Sequence, residues 1–534
     1  MKKLNPLFTQ PYLYAVIVIL GIFLKFYKLE DQFFWDDEIA TILHTSGIPM
    51  NVYERNIPVN EIIPKKYFDD LLKLNDRDLK FFDQFFGLSK MPQLTPGHYY
   101  YFIFLTRIFG DNYMVYRYFS VLVFLLSVVF LFLLTKKIFN SNRAAWIAIS
   151  LYSVSPFFQT YAQEARYYIL WSFTVIFMHY LFLVAMEKKK IKWWILYVAA
   201  GFLAVHVTIL FYITLLAQVI YTLICYRTYW KALFLSQFAI FLTSIPWLIY
   251  IMINRGTIHD SLEWHKIGPW NDLNVFDLLL IHAQHFIELF AYFNKLGFSG
   301  FILAAGKWIY GLMLTGAIFI FFRRAENKQK WFVALLTFLG VVALTTLDLI
   351  RSSGSSDLSR YVLLNFIGMI LLVSFAFQKA MEKRALITGT LFLIVITSGL
   401  LSSLAVANDV SDGNRADSPF HVKDAAEKFS GDEHVLIISD FNLIGPYSYS
   451  MFMSLMHASK NENIDVIYAK PDYPDFKKDF DFSAYDKLYG MYLSDNLSDH
   501  LKKIYTPEEL TILEERKVYG RFDLSVYNIG SKMN

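Results

Sequence analysis

Residues 35–38, Trp35-Asp36-Asp37-Glu38, set three carboxylates side by side directly after an apolar run. Adjacent carboxylates repel one another, so at least one is expected to hold its proton more tightly unless a cation or metal sits beside it. Such a group can serve as general base toward a hydroxyl; the competing reading is a hydrated helix end. A second group, YAQEARYY at 161–168, carries Glu164 and Arg166. Being two apart, they do not share a helix face and are not simply one local ion pair. The planar fork of Arg166 suits a phosphate, whereas among tyrosines it can equally be an interfacial anchor. Arg360-Tyr361 poses the same choice at another predicted helix end. A third group, QLTPGHYYYF at 93–102, breaks the chain at Pro96-Gly97 before His98 and an aromatic run, with Arg107 and Arg117 beyond. His98, His259 and His265 lack a metal-ligand spacing such as His-Glu-x-x-His, so no zinc site is read from them. His206, deep in an apolar segment, is expected to be satisfied within a helix bundle.

The elements that must position these groups lie in a membrane. The chain has 534 residues, 55% hydrophobic and 18% charged, with 51 Phe, 35 Tyr and 11 Trp and a mean hydropathy of +0.37. Soluble domains carry about 25% charged residues, so too much apolar side chain is left for one water-soluble core. One cysteine, Cys225, excludes a disulfide framework and a cysteine zinc cluster. The net charge of +4 conceals a division: residues 408–534 hold 14 Lys and Arg against 22 Asp and Glu. A basic membrane body with an acidic tail speaks against nucleic acid as partner.

A hydrocarbon core of about 30 Å needs roughly 20 apolar residues per helix. Such segments lie near 12–29, 113–135, 144–160, 165–186, 193–208, 209–226, 232–253, 298–322, 331–350, 361–378 and 385–407. The expected fold is therefore an all-α polytopic membrane protein of about eleven crossings, residues 1–407, with a large first outer loop at about 30–97. The first segment reads as retained, since no small-residue cleavage site follows Ile22. With Met1 cytoplasmic, every short basic loop falls on the cytoplasmic side, among them Lys136-Lys137, Lys188–Lys190 and Arg323-Arg324. An odd number of crossings then puts the tail, 408–534, outside as a small α/β domain. Within it a helix is expected at 416–429 and strands at 435–439, 464–469 and 522–527; no glycine-rich phosphate loop follows the first strand. Residues 64–88 of the first loop, with Phe68, Leu71, Leu72, Leu79, Phe82, Phe85 and Phe86, suit amphipathic helices lying at the interface. A second outer piece at 254–274 contains His259, Glu263, Trp264 and His265, followed by an apolar stretch along the membrane. A third, RSSGSSDLSR at 351–360, joins two crossings.

Together these segments resemble a known family: the GT-C polytopic glycosyltransferases, specifically the protein O-mannosyltransferase and aminoarabinose-transferase-like group. The resemblance rests on WDDE after the first helix, TPGHYYYFIFLTRIFGDNYMVYRYFSVL, SVSPFFQTYAQEARYYIL and SRYVLLNFIGMILL, in that order, across most of residues 12–378. It implies sugar transfer on the outer face of the membrane from a polyprenyl-phosphate-linked donor to a lipid, glycan or protein hydroxyl, by a single inverting displacement. The family's Asp–Glu pair maps to Asp37-Glu38, making Asp37 the expected base and Glu38 its companion, with Asp36 one position away as the alternative base or a substrate contact. Arg166 and Arg360, with Lys65 or Lys66, are the expected phosphate-binding cations; Glu164, Tyr361 and His98 are counted as substrate-binding. No cofactor is expected; a divalent metal at 36–38 is compatible with the chemistry and not required by it. The resemblance favours a bacterial inner membrane. The rival reading is a lipid or solute transporter; against it, no internal repeat or matched pair of broken helices occurs, and charge gathers at one membrane face.

Overall fold

The protein was analysed as a computed structural model, which describes residues 10–32, 34–45, 57–72, 95–110, 112–256, 273–408, 426–429, 431, 433–443, 446–473, 476–480, 482–504, 511–519 and 524–530. The chain forms two compact units, one of Met1–Leu29, Pro92–His98 and Tyr116–Asn408, the other of Glu30–Met91, Tyr99–Val115 and Asp409–Asn534.

The first unit is helical and is built to sit in a bilayer. Among the described residues, seven helices are long and apolar enough to cross: Met114–Phe139, Tyr168–Lys188, Arg227–Ile253, Gly300–Arg324, Asn327–Arg351, Ser359–Met381 and Ala385–Asn408. Three shorter apolar helices, Pro11–Phe26, Ile191–Val205 and Phe211–Cys225, occupy further expected segments. The segment expected at 144–160 is helical but divided, as Asn142–Val154 and Pro156–Ala162. Proline disfavours helical backbone in the residue before it, and Ser155 accordingly turns extended, with φ −65° and ψ 126°. Pro156 then starts the second helix, where its missing N–H is no loss.

Burial follows from what each helix faces. Leu363–Met381 is covered almost all the way round, and small residues let its neighbours come close. A Cβ on Gly368 would stand 2.5 Å from the backbone nitrogen of Thr337, and Asn365 Nδ2 donates to Thr337 O at 2.9 Å. Such contacts are how membrane helices associate without a hydrophobic drive between them. Gly300–Arg324, by contrast, leaves Phe301, Trp308, Leu312 and Phe319 exposed, apolar surface that needs hydrocarbon rather than water.

The second unit contains a six-stranded sheet of order β1-β3-β2-β4-β6-β5. Its strands are β1 Ile62–Pro64, β2 Val435–Asp440, β3 Ile464–Ala469, β4 Lys487–Met491, β5 Thr511–Tyr519 and β6 Leu524–Gly530. β2 pairs in parallel with β3 and β4, the other pairs being antiparallel. All six residues of β2 are buried, as befits a central parallel strand covered on both faces. The strands expected at 435–439 and 464–469 are there; the one expected at 522–527 begins at Leu524. The helix expected at 416–429 lies almost wholly outside the described residues, as do 73–94 and 257–272, which hold Leu79, Phe82, Phe85, Phe86, His259, Glu263, Trp264 and His265.

The first outer loop corrects two expectations. It belongs with the tail, not with the membrane body: β1 pairs with β3, and Asn60, in the left-handed region at φ 58°, donates its N–H to Tyr468 O at 2.8 Å. Nor does the helix Lys65–Leu71 lay its apolar face on lipid. Phe68, Leu71 and Leu72 are buried in protein, with the Phe68 ring 5.5 Å from that of Phe452 and 6.4 Å from that of Tyr468. The tail offers an aromatic surface beside an open strand edge, and the loop covers both.

Phe68→Ala should therefore loosen the loop from the tail, costing about 3 kcal/mol by the usual scale for a buried aromatic. Lys66, exposed on the same helix, should tolerate alanine within about 0.5 kcal/mol. Thermal unfolding with proteolysis of the loop would read both; equal resistance of the two variants would contradict this packing.

Candidate functional site

The acidic residues open a helix. Asp36–Thr45 begins where the Trp35 carbonyl accepts from Glu38 N at 2.9 Å and Ile39 N at 3.0 Å. Asp37 and Glu38 thus fall in a first turn, where unpaired N–H groups and the helix dipole favour negative charge. Ile39, Ile42 and Leu43 are fully buried, which anchors the helix and fixes its outward edge. Glu38 is fully buried and Asp37 half-buried, so of these two the one with solvent access is Asp37. Thr41 Oγ1 donates to Asp37 O at 2.9 Å, bracing the turn. Phe34, Tyr113 and His457 pack edge to face just before it, with ring centroids 4.7–5.5 Å apart. These residues lie in the second unit.

The basic residues lie in the first unit. Residues 163–167 form not the end of a crossing helix but a bend between Pro156–Ala162 and Tyr168–Lys188. Ser120 Oγ holds that bend by donating to Glu164 O at 2.7 Å. Arg360 comes from a 3-10 turn, Ser359–Val362, far along the chain. The two arginines meet at one ring: the guanidinium carbons of Arg166 and Arg360 each lie 5.9 Å from the centroid of Tyr168. Arg166 is 8% exposed and Arg360 7%. Burying a cation this deeply is costly; the aromatic face of Tyr168 offsets part of that cost for each, and a guanidinium so placed suits an anion. Tyr361 lies beside Arg360 at 5.8 Å. His98 is buried with its ring 5.0 Å from that of Tyr167. Its place is fixed by Gly97, whose N–H donates to His206 O at 2.8 Å; a Cβ there would stand 2.4 Å from that oxygen, so only glycine fits.

Of the sequence-predicted residues, the structure thus gathers His98, Arg166, Arg360 and Tyr361 around Tyr167 and Tyr168, with Glu164 fully buried in the same bend. It assigns Lys65 elsewhere. Lys65 is buried and paired with Asp69 at 3.2 Å and Glu462 at 2.9 Å, a bond between loop and tail that leaves its charge neutralised. Among the described residues, no three His, Cys, Asp or Glu side chains are grouped to hold a metal ion.

A further set of residues escaped the sequence reading. The helix Pro11–Phe26 ends inside protein, so its last carbonyls need donors. Gln159 Nε2 donates to Leu24 O at 2.8 Å, Gln163 Nε2 to Tyr27 O at 2.9 Å, and Arg117 Nη1 to Leu29 O at 3.1 Å. Lys25, fully buried, donates to Gln159 Oε1 at 2.8 Å and stands 5.0 Å over the Phe124 ring. The signal was present in the sequence: two glutamines four apart, in an apolar segment, share a helix face.

Comparison with known proteins bears on the fold. Residues 92–250 match the family model described as dolichyl-phosphate-mannose-protein mannosyltransferase. Among solved structures, ArnT from Cupriavidus metallidurans, crystallised with undecaprenyl phosphate, superposes with a TM-score of 0.51 at 13% identity, over 96% of this chain and 97% of that one. An oligosaccharyltransferase from Archaeoglobus fulgidus in the apo form matches at 0.45 and 12% identity, over 90% of this chain and 69% of that one. No curated protein matches the sequence significantly. The chain has the GT-C fold, and the family match covers residues 92–250 of it.

The clamp on the first helix should be measurable. Gln163→Ala strips a buried carbonyl of its donor and should cost about 1–3 kcal/mol. Gln159→Ala should cost more, because it also removes the acceptor of the buried Lys25 amino group, and Gln159→Glu should recover part of the loss. Thermal unfolding in lipid nanodiscs would rank the three; an order with Gln163→Ala worst would contradict the clamp.

Proposed function

We propose that this protein moves a sugar from a polyprenyl-phosphate-linked donor to an acceptor hydroxyl on the outer face of the cell's inner membrane, with inversion at the anomeric carbon. The observation that carries this reading is the pair of buried arginines converging on Tyr168. A lipid-linked donor leaves its phosphate behind as the sugar departs, and the negative charge that develops there needs fixed cations shielded from water. Arginine suits this task, since it stays charged and presents a flat fork of donors to a phosphate.

In the proposed reaction Asp37 accepts the proton of the acceptor hydroxyl. The oxygen so freed attacks the anomeric carbon while the bond from that carbon to the phosphate oxygen breaks. The bonding pair stays on the phosphate, where Arg166 and Arg360 balance it. One displacement inverts the carbon and forms no glycosyl-enzyme. Buried Glu38 orients Asp37 or the acceptor. Asp36, Glu164, Tyr361 and His98 are assigned to substrate contacts, and Lys66, exposed, to steering of the donor phosphate. The proposal requires no cofactor, and it puts the N-terminus in the cytoplasm and the sheet-bearing tail outside. Acceptors are lipid, glycan or protein hydroxyls.

Sugar transfer by protein in nanodiscs, offered a panel of polyprenyl-phosphate sugars with acceptor extracts, tests the reading. Asp37→Asn should lower turnover by about 10²–10⁴-fold, the usual worth of a general base, with unfolding temperature unchanged. Unchanged turnover would move the base to another carboxylate. Arg166→Ala should weaken undecaprenyl phosphate binding by roughly tenfold or more, as expected for loss of a charge-assisted hydrogen bond, with Arg166→Lys intermediate. Transport of the lipid with no transfer of any sugar would favour the transporter instead.

A further inference from the structure

Asp348 is the single carboxylate of the helix Asn327–Arg351. It is 2% exposed, and a carboxylate buried this deeply needs strong compensation. Hydrogen bonds from the loop that follows supply it. Asp348 accepts from Ser353 Oγ at 2.7 Å, Ser355 N at 3.0 Å and Ser356 N at 2.6 Å. Ser352 makes the return possible by adopting the left-handed region, at φ 51°. A second element grips the same loop. His285, on the helix Val275–Glu288, donates from Nε2 to Ser356 O at 3.0 Å; a carbonyl only accepts, which assigns that tautomer.

The loop needs this grip. Residues 352–356 are four serines and a glycine, with no apolar side chain to hold them in place. Four residues beyond Ser356 comes Arg360. We infer that Asp348 and His285 are positioning residues, which fix the 353–356 loop and through it hold Arg360 at Tyr168 for a lipid-linked phosphate. The inference rests on the proposed role of Arg360 in donor binding. A guanidinium must meet a phosphate with both donors aligned, so a displacement of about 1 Å is enough to weaken it.

Undecaprenyl phosphate binding to the full-length protein in nanodiscs tests this, with hydrogen exchange across residues 353–361 as an independent readout. Asp348→Asn and His285→Ala should each weaken binding by roughly tenfold, the worth of about one charge-assisted hydrogen bond. Both should speed exchange at Ser355 and Ser356. His285→Gln keeps a donor near the same position and should bind within about twofold of the original, a rescue that a merely space-filling histidine would not show. Asp348→Asn combined with Arg360→Ala should bind no more weakly than Arg360→Ala alone. Should Asp348→Asn misfold, the His285 pair carries the test by itself.

Wild-type binding by Asp348→Asn and His285→Ala, or losses that multiply with that of Arg360→Ala, would overturn the positioning role while leaving Arg360 a phosphate residue. Unchanged binding in Arg360→Ala would overturn both, and faster loop exchange in Asp348→Asn would then mark Asp348 as a loop anchor only.

Discussion

A backbone carbonyl that ends inside a membrane protein has no water to turn to, and this requirement shapes the first unit more than any single packing contact. The helix Pro11–Phe26 ends among Gln159, Gln163 and Arg117. The break at Ser155 is used in the same way, its hydroxyl donating to Leu289 O at 2.7 Å. The bend at 163–167 is stitched by Ser120, and the loop after Asn327–Arg351 folds back on Asp348. Polar side chains are costly in such a setting, so they stand where helices stop. The helix ends are therefore where hydrogen-bonding capacity and charge collect, and a site for a phosphate has to be built from that material.

The second unit obeys a different economy. Its sheet has a fully buried parallel centre with antiparallel margins, and its exposed edge would invite pairing with another chain. β1 closes one side of it with only three residues, helped by Asn60 and by Phe68 on the following helix. The Lys65 ion pair with Glu462 belongs to the same closure. Its partner Glu462 is largely exposed, so its contribution is screened by water and the apolar contact of Phe68 dominates. The catalytic candidates Asp37 and Glu38 thus stand on a helix whose unit is held by ordinary burial of apolar surface.

How much of this was legible before any coordinates depends on sequence range. Val435–Asp440 and Ile464–Ala469 announced themselves because buried parallel strands are continuous apolar runs. The crossing helices did so because about 20 apolar residues in a row have few other uses. β1 could not be read: three residues ending in proline carry no strand signal, and their partner lies some 400 positions away. Lys65 was read as a phosphate residue for the same reason, since the carboxylate that neutralises it is remote in sequence. Arg166 and Arg360 were each visible as cations at helix ends, but their convergence on Tyr168 is a tertiary fact. Asp348 was visible only as a charge closing an apolar run; the loop it holds reads as featureless serine and glycine.

The chemistry open to the acidic group and to the basic group follows from residue type. Guanidinium groups stay protonated throughout the physiological range, and their placement against the face of Tyr168 keeps them desolvated without loss of charge. The phosphate-binding side of the proposed reaction can therefore be strong and insensitive to pH. Lysine in the same buried position would be free to neutralise itself by losing a proton, which is a reason for arginine there beyond its geometry. The carboxylate proposed to take the proton stands instead in a helix first turn, half-open to solvent. The proposed division of labour thus follows from where each group stands: guanidiniums deep in a bundle, and a carboxylate at a helix start.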